Sequence, residues 1–598
     1  MCGICGFFSC NAAGLNPGEA QKILENMTMC LSHRGPDGHG EWLDADAGIA
    51  LGHRRLSIRD ISPAGAQPMH SHCGRYVLTY NGEIYNNEEL RHYILKVKEQ
   101  EPCWQGHSDT EVFLEAYATL GIHRTLELCI GMFSFALWDK KEHRLILGRD
   151  RFGVKPLYWT VQNNTLLFSS EVKSLRRYPY FNPEIDRNRL AAFFRCNYLP
   201  DPLTIFADVR KLRPGYVLIA DGMEVPREEQ WWSAREVALA GVANRIDCHK
   251  EALDELHHLI QDAVSRRMVA DVAIGAFLSG GVDSSLVVAV MQEAASRPIN
   301  TYSIGFEEVD YNEAPYAKAI AAVLGTQHTE LYITSKDAAE LIPQLPKIYD
   351  DLFADSSQIP TYFLSRLARK DVMVALSGDG GDEFFAGYAQ HSLKIPFYRN
   401  LPTSRSHLYQ RMHLGRWRGM DVVPGGRVPS SYFVQGIDDD MFLDDGELAQ
   451  FIDTVHYLPG DILHKVDRAS MAVSLEVRPP LLDHRIYALA WRMPPHLRRA
   501  CGKAKWPLRH LLNHYVSPEL TERPKQGFAL PLLSWVRGPL RDWAESLLDP
   551  ARLRREAWLS PEVVARMWKE ALEGRQNMEQ IWAVLMFQSW LEMFVKEK

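Results

Sequence analysis

The stretch FLSGGVDSSLVVAV (residues 277–290) joins a short apolar run to a helical pattern through two adjacent glycines. Glycines let main-chain N–H groups approach an anion, hydroxyls add donors, and the start of a helix contributes partial positive charge. A plain strand-to-helix turn would explain the glycines, but not Ser279, Ser284 and Ser285 together with Asp283. The stretch therefore predicts a phosphate-binding turn. Because it lacks the G-x-x-x-x-G-K-[ST] pattern, we expect no lysine of this turn to clamp a transferred γ-phosphate.

A second glycine-rich turn, LSGDGGDEFFAGY (376–388), also follows a predicted strand. Asp379, Asp382 and Glu383 crowd its glycines. Carboxylates beside a phosphate site repel the phosphate unless a cation lies between them, so we expect Mg²⁺ shared by Asp283 and Asp382. The alternative is an acidic cluster that caps the start of a helix.

The surrounding sequence alternates strands with helices. Short apolar runs at 272–278, 301–306 and 372–378 are each followed by helical sequence, and residues 252–268 place apolar side chains at three- and four-residue steps. This alternation predicts a parallel sheet wrapped by helices.

The first part of the chain has a different pattern of apolar residues. Runs at 132–139, 144–150 and 157–170 are typical of alternating strands joined by tight turns. We therefore predict two domains with the boundaries 2–215 for the first domain, 216–250 for a connector and 251–598 for the second domain.

Composition excludes several classes of protein. The chain has 598 residues and a net charge of −8, which argues against a nucleic-acid or anionic-membrane partner. No run approaches the ~18 apolar residues of a membrane span, and the N-terminus does not resemble a secretory signal. Ten scattered cysteines do not form a disulfide framework, so we expect a cytoplasmic protein.

The chain begins MCGICGFFSC (1–10). If Met1 is removed, Cys2 carries a thiol and a free α-amine on the same residue. That pair is suited to nucleophilic catalysis, but position alone favours an ordinary N-terminus. The Cys2 and Cys5 pair has the spacing of a zinc site, yet no second pair completes four ligands.

Two sets of motifs resemble known families. SGGVDSS (279–285) is similar to the pyrophosphate loop of ATP pyrophosphatases of the asparagine synthetase type, and MCGICG (1–6) is similar to the start of class II glutamine amidotransferases. The other matching motifs are HRGPDG (33–38), GHRRLSI (52–58), GAQPM (65–69), NGEIYN (81–86), SDTE (108–111), RDRFGVKPLYW (149–159), YLPGDILHKVDRASMAVSLEVRPPLLDHR (457–485) and KQGF (525–528). The resemblance implies an α+β N-terminal Ntn-hydrolase αββα sandwich followed by an α/β parallel-sheet ATP-pyrophosphatase domain of the adenine nucleotide alpha hydrolase type.

The resemblance implies a role for each residue of a glutaminase site. Cys2 would attack the side-chain amide of glutamine with its own α-amine as base, since the pKa of an α-amine (about 8) is close to that of a thiol (about 8.5). Asn81 and the Gly82 N–H would form the oxyanion hole. The glutamine ligands would be Arg55 for the carboxylate, and Glu83 and Asp109 for the α-amine.

The same resemblance implies an ATP site in the second domain. ATP would adenylate a carboxylate, and ammonia would then attack the acyl-adenylate. Catalytic roles fall to Lys505 and Asp379, and Mg²⁺ would bind Asp283 and Asp382. The ATP-binding residues would be Leu278, Ser279, Gly280, Gly281, Asp283, Ser284, Ser285, Ile304, Ser377 and Gly378.

The resemblance leaves the acceptor open. L-Aspartate is the first candidate, but Asp379 lies where some asparagine synthetases carry glutamate, and relatives amidate sugar uronic acids or small peptides. An apolar passage would carry ammonia between the sites, and segments such as 475–485 would help to line it. The family allows a homodimer. A non-catalytic sensor is disfavoured because Cys2, Asn81, Asp283 and Asp382 are all present, and a β-lactam-forming synthetase, which uses no glutamine, is disfavoured by the intact N-terminal set.

Overall fold

The computed structural model describes most of the chain as strands and helices around several hydrophobic cores. The described residues are 2–9, 16–98, 102–222, 225–308, 312–392, 422–429, 432, 437, 442, 444–522, 530–575 and 578–596. Among them, no helix combines the length and the apolar character needed to cross a bilayer.

The first part of the chain forms two six-stranded antiparallel sheets, with strand orders β10-β8-β9-β1-β3-β2 and β12-β11-β7-β6-β5-β4. The strands predicted at 132–139, 144–150 and 157–170 are confirmed as β6, β7 and the β8–β9 pair. The strands are β1 (Gly3–Ser9), β2 (Gly38–Asp44), β3 (Ile49–Arg55), β4 (Met69–His70), β5 (Tyr76–Ile84), β6 (Gly131–Asp139), β7 (Arg144–Arg149), β8 (Tyr158–Gln162), β9 (Thr165–Ser169), β10 (Arg210–Lys211), β11 (Tyr216–Asp221) and β12 (Arg227–Gln230).

Helices cover the outer faces of these two sheets. Apolar side chains from both sheets, such as Ile4, Leu51, Val77 and Trp138, pack into one core between them. The helices of this part are α1 (Pro17–Met29), α2 (Asn87–Lys98), α3 (Asp109–Leu120), α4 (Ile122–Leu128), α5 (Val172–Leu175) and α6 (Arg187–Cys196). Helix α1 packs on β1 and β3, whereas α3 packs on β5 and on α2. The predicted αββα sandwich is confirmed.

The stretch predicted as a connector, 216–250, contains regular structure. Strand β11 pairs with β7, and β12 pairs with β11, so the second antiparallel sheet extends to Gln230. The short edge strand β12 is largely charged, so it lacks the apolar alternation that identifies a strand.

The second part of the chain contains the predicted parallel sheet, in the order β15-β14-β13-β16-β17. Its strands are β13 (Ile274–Phe277), β14 (Asn300–Phe306), β15 (Gln327–Ile333), β16 (Val374–Leu376) and β17 (Glu476–Arg478). The remaining helices are α7 (Ala234–Ala243), α8 (His249–Arg267), α9 (Val282–Ala294), α10 (Ala314–Leu324), α11 (Ser335–Leu341), α12 (Leu345–Tyr349), α13 (Gln358–Ala368), α14 (Gly381–Phe384), α15 (Asp445–Ile452), α16 (Leu463–Met471), α17 (His484–Arg492), α18 (Pro495–Arg498), α19 (Trp506–Leu512), α20 (Pro518–Thr521), α21 (Leu532–Arg537), α22 (Arg541–Leu547), α23 (Pro550–Glu556), α24 (Pro561–Leu572) and α25 (Met578–Lys596).

The order of the parallel strands brings two turns together. Strands β13 and β16 are hydrogen-bonded neighbours, so the turns that follow them leave the sheet at the same edge. These are the two glycine-rich turns that the sequence singles out.

The two parts share a buried interface. Arg34, in the turn after α1, donates from NH1 to Asp467 Oδ2 at 2.8 Å and from NH2 to Asp467 Oδ1 at 2.9 Å. Both side chains are buried, and Asp467 belongs to α16. Aromatic side chains add to this interface, since the rings of Phe194 and Phe587 lie 5.9 Å apart.

We expect Asp467→Asn to lower the free energy of unfolding by about 3 kcal/mol, because it leaves the buried Arg34 charge with less compensation. Urea unfolding monitored by tryptophan fluorescence measures the change. The control is Glu545→Gln, which breaks an exposed 3.0 Å pair with Arg541 and should cost less than about 0.5 kcal/mol. Equal losses in the two variants would contradict the expectation.

Candidate active sites

The predicted nucleophile lies beside the predicted oxyanion hole. The Cys2 main-chain N–H donates to Asn81 Oδ1 at 2.9 Å, which joins the start of β1 to β5. Asn81 is fully buried, and within the described residues its Nδ2 group has no hydrogen-bond partner. A buried donor of this kind is costly unless something accepts from it, so it suits a developing oxyanion.

Gly82 follows Asn81 on β5 and allows β6 to approach closely. A Cβ at Gly82 would lie 2.3 Å from the Met132 carbonyl oxygen and 2.6 Å from Phe133 Cα. Any side chain at this position would push β5 away from β6 and displace Asn81 with it. The structure therefore brings Cys2, Asn81 and Gly82 together as predicted, and their catalytic roles stay predictions.

The Cys2 thiol is partly buried, and its surroundings favour the neutral form. Burial raises the pKa of the Cys2 thiol above its ordinary value. The thiol therefore stays protonated at neutral pH, and a nucleophilic attack needs a nearby base.

Glu83 and Asp109 form a buried pair of carboxylates near this site. Burial raises the pKa of Glu83 to about 8, with Arg478 opposing the rise and Asp109 adding to it. Burial also raises the pKa of Asp109, while Arg59 and the Ile84 N–H oppose the rise. The Ile84 N–H donates to Asp109 Oδ2 at 2.7 Å, which fixes Asp109 at the start of α3. Two crowded carboxylates are a suitable environment for an ammonium group.

Arg55 lies at the end of β3 and points to main-chain oxygens. Its NH1 donates to the Ser62 carbonyl at 3.0 Å, and its NH2 donates to the Asp60 carbonyl. Its positive charge also acts on the Cys2 thiol. Binding of a carboxylate by Arg55 stays a prediction.

The first glycine-rich turn has the conformation of an anion-binding turn. Gly280 has φ +73°, which disfavours other residues, and α9 begins two residues later. The Ser279 and Ser284 hydroxyls lie 3.0 Å apart, and the Ser279 N–H donates to Ser284 Oγ at 3.2 Å. The other predicted ATP-binding residues of this region, Ser285, Leu278 and Ile304, are buried.

The second glycine-rich turn packs directly on the first. A Cβ at Gly378 would lie 2.6 Å from the Ser284 nitrogen, and a Cβ at Gly381 would lie 2.5 Å from the Asp283 carboxyl carbon. These glycines are therefore required where the two turns meet.

A lysine lies between the predicted metal ligands. Lys505 Nζ is 2.5 Å from Asp283 Oδ2 and 2.8 Å from Asp382 Oδ1. Burial lowers the pKa of Lys505, but the two carboxylates more than offset this and raise it above its ordinary value. Lys505 therefore supplies a cation of the kind that the sequence predicts beside these carboxylates. Two carboxylate oxygens within reach of one cation also fit Mg²⁺, which prefers such ligands.

Asp379 has one hydrogen-bond donor and one positively charged neighbour. The Ser377 hydroxyl donates to Asp379 Oδ2 at 2.7 Å. Burial raises the pKa of Asp379, and Ser377 and Lys465 oppose the rise. Lys465 donates to Asp355 Oδ2 at 2.6 Å, so this ammonium is already bound to another carboxylate.

Three charged residues near the sites were not predicted from the sequence. They are Arg34, whose Nε donates to the Cys2 carbonyl at 3.1 Å, Arg478, whose NH2 lies 3.1 Å from Glu83 Oε1, and Lys465. All three lie inside the quoted motifs HRGPDG and 457–485, and these motifs are the sequence signal that could have identified them. The motif KQGF (525–528) and Met1 lie outside the described residues.

Two family models match the chain. Residues 255–592 match the model described as asparagine synthase, and residues 1–232 match the model described as glutamine amidotransferase domain.

Known proteins match this chain over most of its length. The chain is 30% identical to asparagine synthetase (glutamine-hydrolyzing) 1 of Bacillus subtilis (strain 168), over all of this chain and 98% of that protein. It is also 30% identical to asparagine synthetase (glutamine-hydrolyzing) 3 of the same organism, over 88% of this chain and 87% of that protein. It is 26% identical to the amidase chry2 of Gibberella zeae, over 97% of this chain and 96% of that protein.

We expect Gly378→Ala to weaken ATP binding at least about tenfold, because the added Cβ pushes the two glycine-rich turns apart. Isothermal titration calorimetry with ATP measures the loss. Gly18→Ala is the control, since its Cβ comes no closer than 3.4 Å to the Asn16 side chain at the start of α1. Unchanged ATP affinity in Gly378→Ala would show that contact between the turns does not shape the nucleotide site.

Proposed function

The chain belongs to the asparagine synthase family and carries a glutamine amidotransferase domain, and on that premise we propose that it is a glutamine-dependent asparagine synthetase. It hydrolyses glutamine in the antiparallel sandwich and passes the ammonia to an activated carboxylate at the parallel sheet. The family implies the use of ATP. The observation that carries the proposal is the Cys2–Asn81 contact at 2.9 Å in the same chain as the paired glycine-rich turns.

In the first half-reaction, Cys2 attacks the glutamine amide after removal of Met1. The freed α-amine takes the thiol proton and delivers it to the departing nitrogen, so ammonia leaves and a thioester remains. Asn81 Nδ2 and the Gly82 N–H stabilise the oxyanion of the tetrahedral intermediate. Glu83 and Asp109 bind the α-ammonium of glutamine, and Arg55 binds its carboxylate. Water then hydrolyses the thioester.

In the second half-reaction, the acceptor carboxylate attacks the α-phosphorus of ATP and pyrophosphate leaves. The resulting acyl-adenylate exchanges AMP for ammonia and becomes an amide. We assign to Asp379 the uptake of a proton from the attacking nitrogen, because it lies in the glycine-rich turn that packs on the proposed pyrophosphate-binding turn. The turn at Ser279–Ser285 holds pyrophosphate, with Lys505 beside it.

Mg²⁺ would bind Asp283 and Asp382, and when bound it neutralises charge on the phosphates. Lys505 holds both carboxylates until then. The nucleotide phosphates offer Lys505 alternative partners, so it can release the carboxylates when ATP binds.

A specific observation also supports a second acceptor class. Asp379 is one methylene shorter than the glutamate that some asparagine synthetases carry, so its carboxylate reaches less far toward the acceptor. A larger carboxylate, such as a sugar uronic acid or a small peptide, is therefore the alternative substrate.

We expect L-aspartate to stimulate pyrophosphate release from ATP at least about tenfold when glutamine and Mg²⁺ are present, with asparagine formed. The test is a coupled pyrophosphate assay over L-aspartate, uronic-acid sugar nucleotides and small peptides. A response to one of the last two, and silence with L-aspartate, would keep the chemistry and overturn the acceptor.

We expect Cys2→Ala to abolish glutamine-dependent synthesis, because no thiolate remains, and to preserve synthesis from added ammonia. Product formation is measured by amino-acid chromatography with each nitrogen source. Cys73→Ala is the matched control, because Cys73 is exposed and far from the site in sequence, and it should support both reactions. Loss of both reactions in Cys2→Ala would contradict a two-site mechanism.

A further inference from the structure

Arg478 belongs to the parallel sheet but reaches into the glutamine site. It is the last residue of β17, the edge strand that pairs with β16. Its NH2 group lies 3.1 Å from Glu83 Oε1, on β5 of the antiparallel sandwich. Both side chains are buried. This is therefore an ion pair between the two parts of the chain, at the carboxylate that we assign to the glutamine α-ammonium.

The rest of the Arg478 guanidinium is fixed by its own part of the chain. Nε donates to Glu476 Oε1 at 2.6 Å, and NH1 donates to the carbonyls of Arg267 at 2.9 Å and Val269 at 2.8 Å. Because these three contacts fix the plane of the guanidinium, its remaining nitrogen presents a positive charge to Glu83 from a constant position.

Glu83 keeps one carboxylate oxygen for a ligand. Within the described residues, the buried Glu83 Oε2 has no hydrogen-bond partner, and Arg59 NH1 lies 3.9 Å away. A buried acceptor without a donor is costly, so this oxygen is suited to receive an ammonium N–H.

The charge of Glu83 depends on its neighbours. Asp109 and Glu476 face it and favour the protonated form, whereas Arg478 and Arg59 favour the carboxylate. Under these influences and burial, the pKa of Glu83 is about 8. A protonated Glu83 offers no negative charge to an ammonium group, so loss of Arg478 would weaken this contact near neutral pH.

We propose that Arg478, supplied by the synthetase sheet, is a positioning residue of the glutaminase: it favours the carboxylate form of Glu83 and holds this side chain in place for the α-ammonium of glutamine. This inference rests on the proposed function. The Arg478 carbonyl also accepts the Ser377 N–H at 3.1 Å, so the same residue is hydrogen-bonded to the nucleotide turn. The glutamine site is therefore incomplete without the second part of the chain.

The test is the pH dependence of the glutamine KM in Arg478→Gln, measured from glutamate release between pH 6.5 and 8.5. Removing Arg478 raises the pKa of Glu83 further, so more of Glu83 is protonated at each pH below it. We expect KM at pH 7 to rise at least about tenfold, the effect of one pKa unit, and to fall again as the pH rises. kcat should change much less, because Arg478 does not touch the reacting atoms.

Arg267→Gln is the matched control. Arg267 is buried at the same interface, where its guanidinium lies 4.2 Å from the Tyr85 ring centre and 3.3 Å from Asp483, but it makes no recorded ion pair with Glu83. Arg267→Gln should leave the pH dependence of the glutamine KM unchanged. An unchanged profile in Arg478→Gln, or the same rise in KM at every pH, would overturn the inference.

A second comparison avoids dependence on one variant that could fail to fold. Arg478→Lys should raise KM when Glu83 is present and should add nothing in the Glu83→Gln background, since it acts through that carboxylate. Additive effects would contradict the proposal. Ammonia-dependent synthesis by each variant reports folding, and absence of glutaminase activity in the unmodified protein would refute the proposed function instead.

Discussion

Arg34 is the constraint on which both halves of the structure depend. Its guanidinium is completely buried and donates to Glu171, to Asp467 and to the carbonyl of Cys2. A buried guanidinium needs oxygen partners on every side, and those partners come from the antiparallel sandwich and from α16 of the other part. The position of the predicted nucleophile is therefore tied to the packing of the two parts, and not only to its own strand.

The same principle governs the other charged groups of both sites. Lys505 belongs to the segment before α19, yet it neutralises Asp283 and Asp382 on the two glycine-rich turns. Arg478 lies on β17, yet its positive charge balances the negative charge of Glu83 on β5. In both cases a buried charge is balanced by a group from a distant part of the sequence, so each site depends on long-range packing.

Sequence patterns predicted those features whose determining residues lie close together in the chain. The turn at 277–290 was predicted because its glycines, serines and helix start lie within a few residues, and the parallel sheet followed from alternating apolar runs. Arg34 and Asp467 are separated by 433 residues, so no local pattern indicates that they pair. Strand β12 escaped detection for another reason: it is a charged edge strand whose stability comes from pairing with β11.

The environment of Asp379 bears on the acceptor more directly than the resemblance does. Its carboxylate accepts a hydrogen bond from the Ser377 hydroxyl, and the positive charge of Lys465, which Asp355 already binds, opposes the rise in the pKa of Asp379. Compared with a glutamate at this position, the Asp379 side chain is shorter by one carbon–carbon bond, about 1.5 Å. Under the proposed role of Asp379, an acceptor would have to extend toward this residue or be held closer to the turn at 376–388. Both proposed acceptors can meet this requirement, L-aspartate by being held close to that turn and a larger carboxylate by its length.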